Sequence, residues 1–92
     1  MIAISYPRIR QVRPQPGKTL LIEFENGVRK VYDCKPLLRE EVFRPLEDEA
    51  LFRLARADGL GYGVVWTDEI DLAESEIWIH GRTVTARDRW GA

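Results

Sequence analysis

Hydrophobic and polar positions alternate most clearly between residues 19 and 33, where the sequence reads TLLIEFENGVRKVYD. A period of two is typical of a β-strand with one buried face. The Asn26-Gly27 pair in the middle of this stretch favours a tight two-residue hairpin loop, because both residue types tolerate positive φ. We therefore predict a β-hairpin whose apolar face is covered by another part of the chain.

A two-residue loop would also fix which residues face each other across the hairpin. Ile22 would face Val31, and Glu23 would face Lys30 as an opposite-charge pair worth about 0.2 to 1 kcal/mol. A slip of one residue would turn the apolar positions of one strand toward water. The register predicts one inward apolar face made of Leu20, Ile22, Phe24 and Val31.

A first strand is predicted at residues 7–15, before the hairpin. Ile9 and Val12 differ in parity, so one face can bury both only if the strand contains a bulge or starts late. Pro16-Gly17 then turns the chain into the hairpin. These three strands are expected to form an antiparallel meander.

Short helices are expected next, because Pro36 and Pro45 confine residues 34–44 to one or two helical turns. Residues 46–57 have two interpretations: one helix capped by Asp48, or a short helix to about Phe52 followed by a strand. We favour the second, because a strand at residues 53–57 would pair with residues 64–66 as a second hairpin.

The last part of the chain has a weaker pattern. Residues 67–72 are expected to leave the strand, with Asp68 and Asp71 accepting hydrogen bonds from backbone amides around a turn. A single helical turn is predicted at residues 73–76. Beyond a short strand at residues 83–85 there is little periodicity, so we expect one domain over residues 1–80 and a loose tail over 81–92. The fold class is α+β: a small two-layer domain with an antiparallel sheet of two hairpins and short helices between them.

Composition supports one globular domain and limits the chemistry. Ninety-two residues with 45% hydrophobic and 32% charged side chains suffice for a single modest core. Cys34 is the only cysteine, so an internal disulfide and a cysteine-rich metal site are excluded. The apolar run at residues 1–4 is too short for a signal peptide core or a membrane span. We expect a cytoplasmic protein.

Charge is distributed unevenly although the net charge is only −1. Residues 1–19 contain four basic and no acidic side chains, whereas residues 47–76 contain nine acidic and two basic ones. Either the basic ends lie beside the acidic middle in the folded chain, or an acidic surface is left for a basic partner.

The order of apolar and turn residues resembles that of a bacterial family catalogued as Domain of Unknown Function 2442. Residues 66–72 are the most specific part, although Glu69 stands where glycine is more usual. The resemblance implies a small α+β domain, a strand before Asp58 and no catalytic residues. Members are often encoded beside another small protein in an arrangement similar to a toxin and antitoxin pair, which implies partner binding. The matching residues are Pro7, Ile9, Val12, Leu20, Ile22, Phe24, Asn26, Gly27, Asp33, Pro36, Leu37, Leu38, Phe43, Leu46, Phe52, Trp66, Asp68, Ile70, Asp71 and Leu72.

The leading hypothesis is a non-enzymatic module that binds a small protein partner. Its contact residues would be the acidic turn and a nearby tryptophan: Asp68, Glu69, Asp71 and Trp78. Aromatic residues are enriched at interfaces, so Trp78 and Trp90 are the candidates, whereas Trp66 is expected in the core. An exposed sheet edge could also pair two copies into a homodimer.

The alternative hypothesis is a nucleic-acid-binding accessory or autoregulatory factor. Its contacts would come from the basic first strand, through Arg8, Arg10, Arg13 and Lys18. Alternation divides these side chains between two faces, and the sequence pI of about 5.8 does not favour a nucleic-acid partner.

Other chemistry has little support in the sequence. The acidic run lacks the ligand spacing of a calcium loop, so no metal or other cofactor is predicted. His80, the only histidine, has no nucleophile motif beside it and is expected to be structural or solvated. Cys34 is expected to be a semi-buried thiol. We therefore predict no catalytic residues.

Overall fold

The computed structural model describes residues 5–84, which form two antiparallel sheets and four short helices. Strands β1 (Ile9–Gln15), β2 (Thr19–Phe24), β3 (Arg29–Asp33) and β7 (Arg82–Thr83) form one sheet in the order β1-β2-β3-β7. Strands β4 (Arg56–Ala57), β5 (Gly63–Thr67) and β6 (Ile70–Ala73) form the other in the order β4-β5-β6. Two 3₁₀ helices (Lys35–Arg39 and Glu41–Glu47) and α1 (Glu49–Phe52) connect the sheets, and α2 (Glu74–His80) follows β6. The predicted α+β class is confirmed, with the strands divided between two sheets.

The β2–β3 hairpin is present, but its predicted register is wrong by one residue. Ile22 faces Lys30 and Leu21 faces Val31. Leu20, Ile22 and Phe24 are fully buried as expected, but Val31 lies on the outer face and is partly exposed. Lys30 and Tyr32 take the inward positions on β3, and Glu23 pairs with Arg29 at 3.4 Å instead of with Lys30.

The shift arises because the loop has three residues instead of two. Phe24 N donates to Val28 O at 2.9 Å, and Gly27 N donates to Phe24 O at 2.9 Å. Gly27 has a φ of +88°, whereas Asn26 does not adopt a positive φ. This is the pattern of a three-residue hairpin loop in which the glycine forms a bulge.

Strand β1 joins the two sheets. The register shifts between Ile9 and Gln11, which confirms the predicted bulge and brings Ile9 and Val12 to the same face. At the start of β1, Ile9 N donates to Gly61 O at 2.8 Å. Gly61 has a φ of +80°, and a Cβ there would lie 2.8 Å from Ile9 O, so this close approach requires glycine. The edges of the two sheets therefore meet at β1.

The favoured interpretation of residues 46–57 is confirmed. Asp48 accepts a hydrogen bond from Ala50 N at 2.9 Å and caps α1, which ends at Phe52. The following strand is short: β4 contains only Arg56 and Ala57, which pair with β5. The predicted helical turns before it are 3₁₀ helices, the first with Pro36 in its opening turn.

The chain leaves strand β5 after Thr67, as predicted for residues 67–72, but only for a short turn. Residues 68 and 69 form a tight turn, and β6 runs back along β5, with Asp71 opposite Val65. Helix α2 is also longer than the single turn expected and extends to His80. Buried Ile70 and Leu72 alternate with exposed Asp71 and Ala73, which is the pattern of a strand. The acidic residues make this pattern hard to recognise in the sequence.

The segment after α2 returns to the four-stranded sheet. Arg82 faces Val31 and Thr83 faces Lys30, so β7 extends the sheet beyond β3. Strand β7 lies where the sequence predicts the start of the tail, at residue 81, and a short strand at residues 83–85. Residues 85–92, including Trp90, lie outside the described residues.

One core lies between the sheets and the helices. Phe24 from β2, Phe52 from α1, Val64 from β5 and Ile77 from α2 are fully buried in it. Trp66 is also buried, as predicted, and its indole Nε1 donates to Phe52 O at 3.1 Å. No helix among residues 5–84 is long and apolar enough to span a membrane.

The hairpin loop yields a stability prediction for Gly27→Ala. Nothing lies within 4 Å of a Cβ built at Gly27, so the substitution should cost only the left-handed backbone conformation, about 1 to 2 kcal/mol of unfolding free energy. Gly59→Ala is the matched control, because that site is equally open and has no left-handed φ. It should be neutral or stabilise by about 0.4 to 1 kcal/mol. Urea unfolding measures both variants, and equal effects would contradict the loop assignment.

Candidate functional site

The loop before β5 is arranged by Asp58. Its Oδ2 accepts hydrogen bonds from Leu60 N at 3.0 Å and Tyr62 N at 3.3 Å, and its backbone O accepts from Gly61 N at 2.8 Å. An acidic side chain that binds amides two and four residues ahead is a common way to fix a tight loop. The loop holds Leu60 and Tyr62 at the surface.

The outer face of the three-stranded sheet carries the main exposed apolar patch next to this loop. The Leu60 side chain is 66% exposed and that of Tyr62 is 50% exposed. Together with partly exposed Val65 they border a shallow cleft of about 370 Å³. Asp71 from β6 and Asp58 supply its carboxylates. We call this region the β5 face, defined by Asp58, Leu60, Tyr62, Val65 and Asp71.

The predicted acidic turn lies at one end of the β5 face. Asp68 and Glu69 form the tip of the β5–β6 hairpin, and Asp71 follows on β6. The backbone amides of Glu69 and Ile70 donate to Thr67 Oγ1, both at 3.1 Å. The expectation that Asp68 and Asp71 accept those hydrogen bonds is therefore wrong, because the hydroxyl of Thr67 takes both.

Three acidic side chains of the described residues form ion pairs with lysine or arginine, and those of this turn are not among them. Glu23, Asp33 and Glu49 each lie within 4 Å of a lysine or arginine nitrogen. Within residues 5–84, no such cation lies that close to the carboxylates of Asp68, Glu69 or Asp71. The tip of this hairpin therefore carries uncompensated negative charge.

Trp78 packs against the other sheet. Its ring meets Phe24 edge-on, with centroids 5.0 Å apart, and Lys30 Nζ lies 4.7 Å from its centroid. Lys30 is only 9% exposed, so its aliphatic stem is buried while the ammonium group rests on the indole. Trp78, grouped with the acidic turn by the sequence, thus uses its ring to cover Lys30.

The basic residues of the first strand contact different parts of the fold. Arg8 donates to the hydroxyl of Tyr62 at 3.0 Å. Arg10 donates to Glu25 O at 3.1 Å and lies 4.0 Å from the Glu23 carboxylate. Arg13 faces Leu21 on the outer side of the sheet, and Lys18 reaches α1. The structure does not bring these four side chains together into one patch.

Lys18 has a structural role that explains its unusual backbone. It has a φ of +60°, which is uncommon for a residue with a side chain. Its Nζ lies 2.7 Å from Glu49 Oε1, donates to Glu47 O at 3.0 Å and lies 5.3 Å from the centre of the Phe52 ring. These contacts tie the β1–β2 turn to α1, and the bond from Lys18 holds the pKa of Glu49 below its usual value.

A second cleft lies where α2 packs beside the end of β3. Tyr32 OH donates to Glu76 Oε2 at 3.0 Å, and His80 Nδ1 lies 2.9 Å from the same oxygen. Burial, followed by the hydrogen bond to Glu76, raises the pKa of the Tyr32 phenol. These three side chains, with Asp33 and Pro36, border a space of about 300 Å³. We call it the α2 cleft.

Cys34 lies in the core, where its environment disfavours the reactive thiolate. The Cys34 thiol is fully buried, more than the semi-buried position expected, and burial raises its pKa to about 12. A thiol with a raised pKa is a poor nucleophile near neutral pH. Among residues 5–84, no three His, Cys, Asp or Glu side chains are placed to hold a metal ion.

Sequence reasoning missed two groups of residues. Leu60 and Tyr62 were assigned only to a turn, although two large apolar side chains in a loop are a sign of surface contact. Glu76 and His80 have the spacing of four residues that faces one side of a helix. That signal was lost because the predicted helix ended at residue 76, and Tyr32 was expected on the outer face.

The fold defines a small α+β domain, and the β5 face and the α2 cleft lie on different parts of it. A family model described as "Protein of unknown function (DUF2442)" matches residues 9–83. The chain belongs to this family, as the sequence resemblance indicated. Comparisons with curated proteins and with solved structures gave no significant match.

The pKa values of Glu49 and Glu74 are shifted in opposite directions, so the two carboxyl groups give opposite predictions for how stability depends on pH. Glu49 has a lowered pKa, so its ionised form stabilises the fold above its usual pKa of 4.5, and this contribution is lost as the pH falls through the lower folded value. Glu74 has a raised pKa, caused first by burial and then by Asp58, and its Oε2 is buried with no hydrogen-bond partner among the described residues. Its ionisation destabilises the fold as the pH rises above 4.5.

We therefore expect Glu49→Gln to lower the thermal stability at neutral pH and Glu74→Gln to raise it. The difference for Glu74→Gln should shrink as the pH falls below the raised pKa of Glu74, and that for Glu49→Gln only as the pH falls through the lowered folded pKa of Glu49. Thermal unfolding of the three proteins between neutral and acidic pH measures this. Shifts of the same sign in both variants would contradict the assigned contacts.

Proposed function

We propose that this protein is a non-enzymatic cytoplasmic module that binds a small protein partner through its β5 face, with an antitoxin-like role in a two-protein system. One observation carries the proposal. Exposed Leu60 and Tyr62 lie beside Asp58 and Asp71, whose carboxylates have no lysine or arginine nitrogen within 4 Å among the described residues. Exposed apolar patches bordered by charged residues are typical of interaction sites.

The two components of the face have different roles. Leu60, Tyr62 and Val65 supply apolar area, which provides most of the affinity when it is buried. Asp68, Glu69 and Asp71 select the partner, because complementary charges raise the association rate and disfavour acidic competitors. The expected partner surface therefore combines basic side chains with an apolar anchor.

The edge of β6 suggests how such a partner would attach. In the part of the chain that the structure describes, β6 pairs only with β5, so its other edge has no strand beside it. Extended peptides commonly add to such an edge through backbone hydrogen bonds, while alternate side chains meet the flanking face. Asp71 and Ala73 are the exposed side chains along this strand.

The nucleic-acid alternative has weaker support. Arg8, Arg10 and Lys18 already make hydrogen bonds within the fold, and Lys18 is held by Glu49. Phosphate binding would require these contacts to be exchanged.

A second copy of the chain is the other candidate occupant of the β6 edge. Sedimentation of the purified protein at several concentrations distinguishes it from a different partner.

Affinity capture from the native cell at low salt tests the proposal when it is done with matched variants. The test variant Leu60→Ser/Asp71→Asn removes one exposed apolar group and one carboxylate from the β5 face. The control variant Val42→Ser/Glu41→Gln makes the same chemical changes at exposed positions on a 3₁₀ helix.

The wild type and the control should recover the same basic protein in stoichiometric amount, and the test variant should recover at least about tenfold less, as expected for loss of one strong contact. Recovery should also fall as salt is added. Equal recovery by the test variant, or no stoichiometric partner at low salt, would refute the proposed face.

A further inference from the structure

The α2 cleft has features of a ligand site that the partner-binding proposal does not use. It is formed by the end of β3, the first 3₁₀ helix and α2, whereas the β5 face belongs to the other sheet. Its volume of about 300 Å³ is at the small end of ligand pockets. A pocket of this size suits a group as large as a single aromatic ring.

Hydrogen bonding among the residues that line the cleft leaves an acceptor unused. The hydroxyl hydrogen of Tyr32 is used on Glu76 Oε2, and His80 Nδ1 lies 2.9 Å from the same oxygen. Glu76 Oε1 accepts no hydrogen bond from the described residues, so it remains open to a ligand that supplies donors.

Charge in and around the cleft is mostly negative. Asp33 and Glu76 line it, and the Glu40 carboxylate is close enough to act on the Tyr32 phenol. Lys35 lies 3.0 Å from Asp33 Oδ1 and offsets one of these charges. The hydrogen bond from Lys35 N keeps the pKa of Asp33 below its usual value, so this group stays ionised. The carboxylates around the cleft therefore carry more charge than Lys35 offsets.

The walls add an apolar component. The ring of Tyr32 lies on the core side of the sheet, and exposed Pro36 also lines the cleft. Pro36 is fixed at the start of its 3₁₀ helix and Tyr32 in β3. The site therefore combines rigid apolar surfaces with acceptors of negative charge, which is the usual construction of a site for an organic cation.

We propose that the α2 cleft binds the planar cationic head of a small organic ligand, an amidinium or guanidinium group attached to an apolar body. Glu76 Oε1 and Asp33 accept the N–H donors, and Glu76 forms the stronger charge-assisted hydrogen bond because it is held in place by Tyr32 and His80. The apolar body lies between Tyr32 and Pro36. No bond is made or broken in this role.

Benzamidine is a suitable probe, with benzamide and benzoate as neutral and anionic molecules of nearly the same shape. Each is titrated into the ¹⁵N-labelled full chain while backbone amide shifts are followed. Benzamidine should give saturating shifts at Tyr32, Asp33 and residues 76–80. Benzamide should bind at least about tenfold more weakly, since it lacks the charge that strengthens these hydrogen bonds. Equal binding of benzoate or benzamide, or no saturation with benzamidine, would overturn the proposal.

Variants show whether the contacts are those proposed. Glu76→Gln should weaken benzamidine binding about tenfold, and Asp33→Asn should weaken it less, because the asparagine oxygen can still accept from Lys35 N. The second variant keeps the test decisive if the first disturbs α2. Glu25→Gln, an exposed position in the β2–β3 loop, is the control and should bind benzamidine like the wild type. Unchanged affinity in both cleft variants would overturn the assignment.

The same cation could arrive as a free metabolite or as an arginine side chain of a protein. Agmatine and acetyl-arginine amide, titrated in parallel, distinguish these sources. Shifts at the cleft with both ligands indicate a site that also admits an arginine within a chain, and shifts with agmatine alone indicate a site for a free ligand. Absence of shifts with both contradicts the guanidinium class. Partner capture by the β5 face is unaffected by these results, so the two proposals can fail separately.

Discussion

The left-handed conformation of Gly27 is the constraint on which the rest of the structure depends. It allows a three-residue loop, and that loop sets the register between β2 and β3. Because side chains alternate along a strand, a shift of one residue exchanges every inward and outward position on β3. Lys30 and Tyr32 thereby replace Val31 on the buried face, so the core has to accommodate two side chains with polar groups.

Helix α2 satisfies that requirement. Trp78 covers the ammonium group of Lys30, and Glu76 accepts the hydroxyl hydrogen of Tyr32. An unsatisfied buried hydroxyl costs about 1 to 3 kcal/mol, so these contacts largely fix where the helix can lie. Ile77, between them in sequence, is fully buried in the core. The α2 cleft is a consequence of this docking, because Glu76 brings His80 with it one helical turn later.

Most of the fold could be predicted from local patterns, and the errors have specific physical reasons. The buried face of β2 and the bulge of β1 follow from the spacing of Leu20, Ile22 and Ile9. The loop length could not be read from Asn26-Gly27, because this pair is compatible with loops of two and three residues that differ only in whether Asn26 also adopts positive φ. Strand β6 was missed because four-residue strands carry little periodic information and its acidic residues favour a turn.

The candidate sites could be predicted less well than the fold, because they depend more on tertiary packing. Positions in sequence do not reveal that Tyr32 lies beside Glu76, which is 44 residues away, or that Arg8 meets Tyr62. Charge is the part that sequence anticipated best, since basic and acidic segments do meet in the fold. Lys18 neutralises Glu49, and Arg8 partly offsets the burial of Glu74.

The pairing of basic with acidic side chains is incomplete. The surfaces differ in which acidic side chains are left without a basic partner among the described residues. Basic residues near the start of the chain are used on the loop before β5 and on α1, whereas the β5–β6 turn is reached by none of them within the described residues. A net charge of −1 therefore conceals a neutralised region and a negative hairpin tip. Because exposed charges act over about 8 Å at physiological salt, the tip presents its own local field to an approaching molecule. The electrostatic field at this end of the protein follows from those local charges and not from the overall charge.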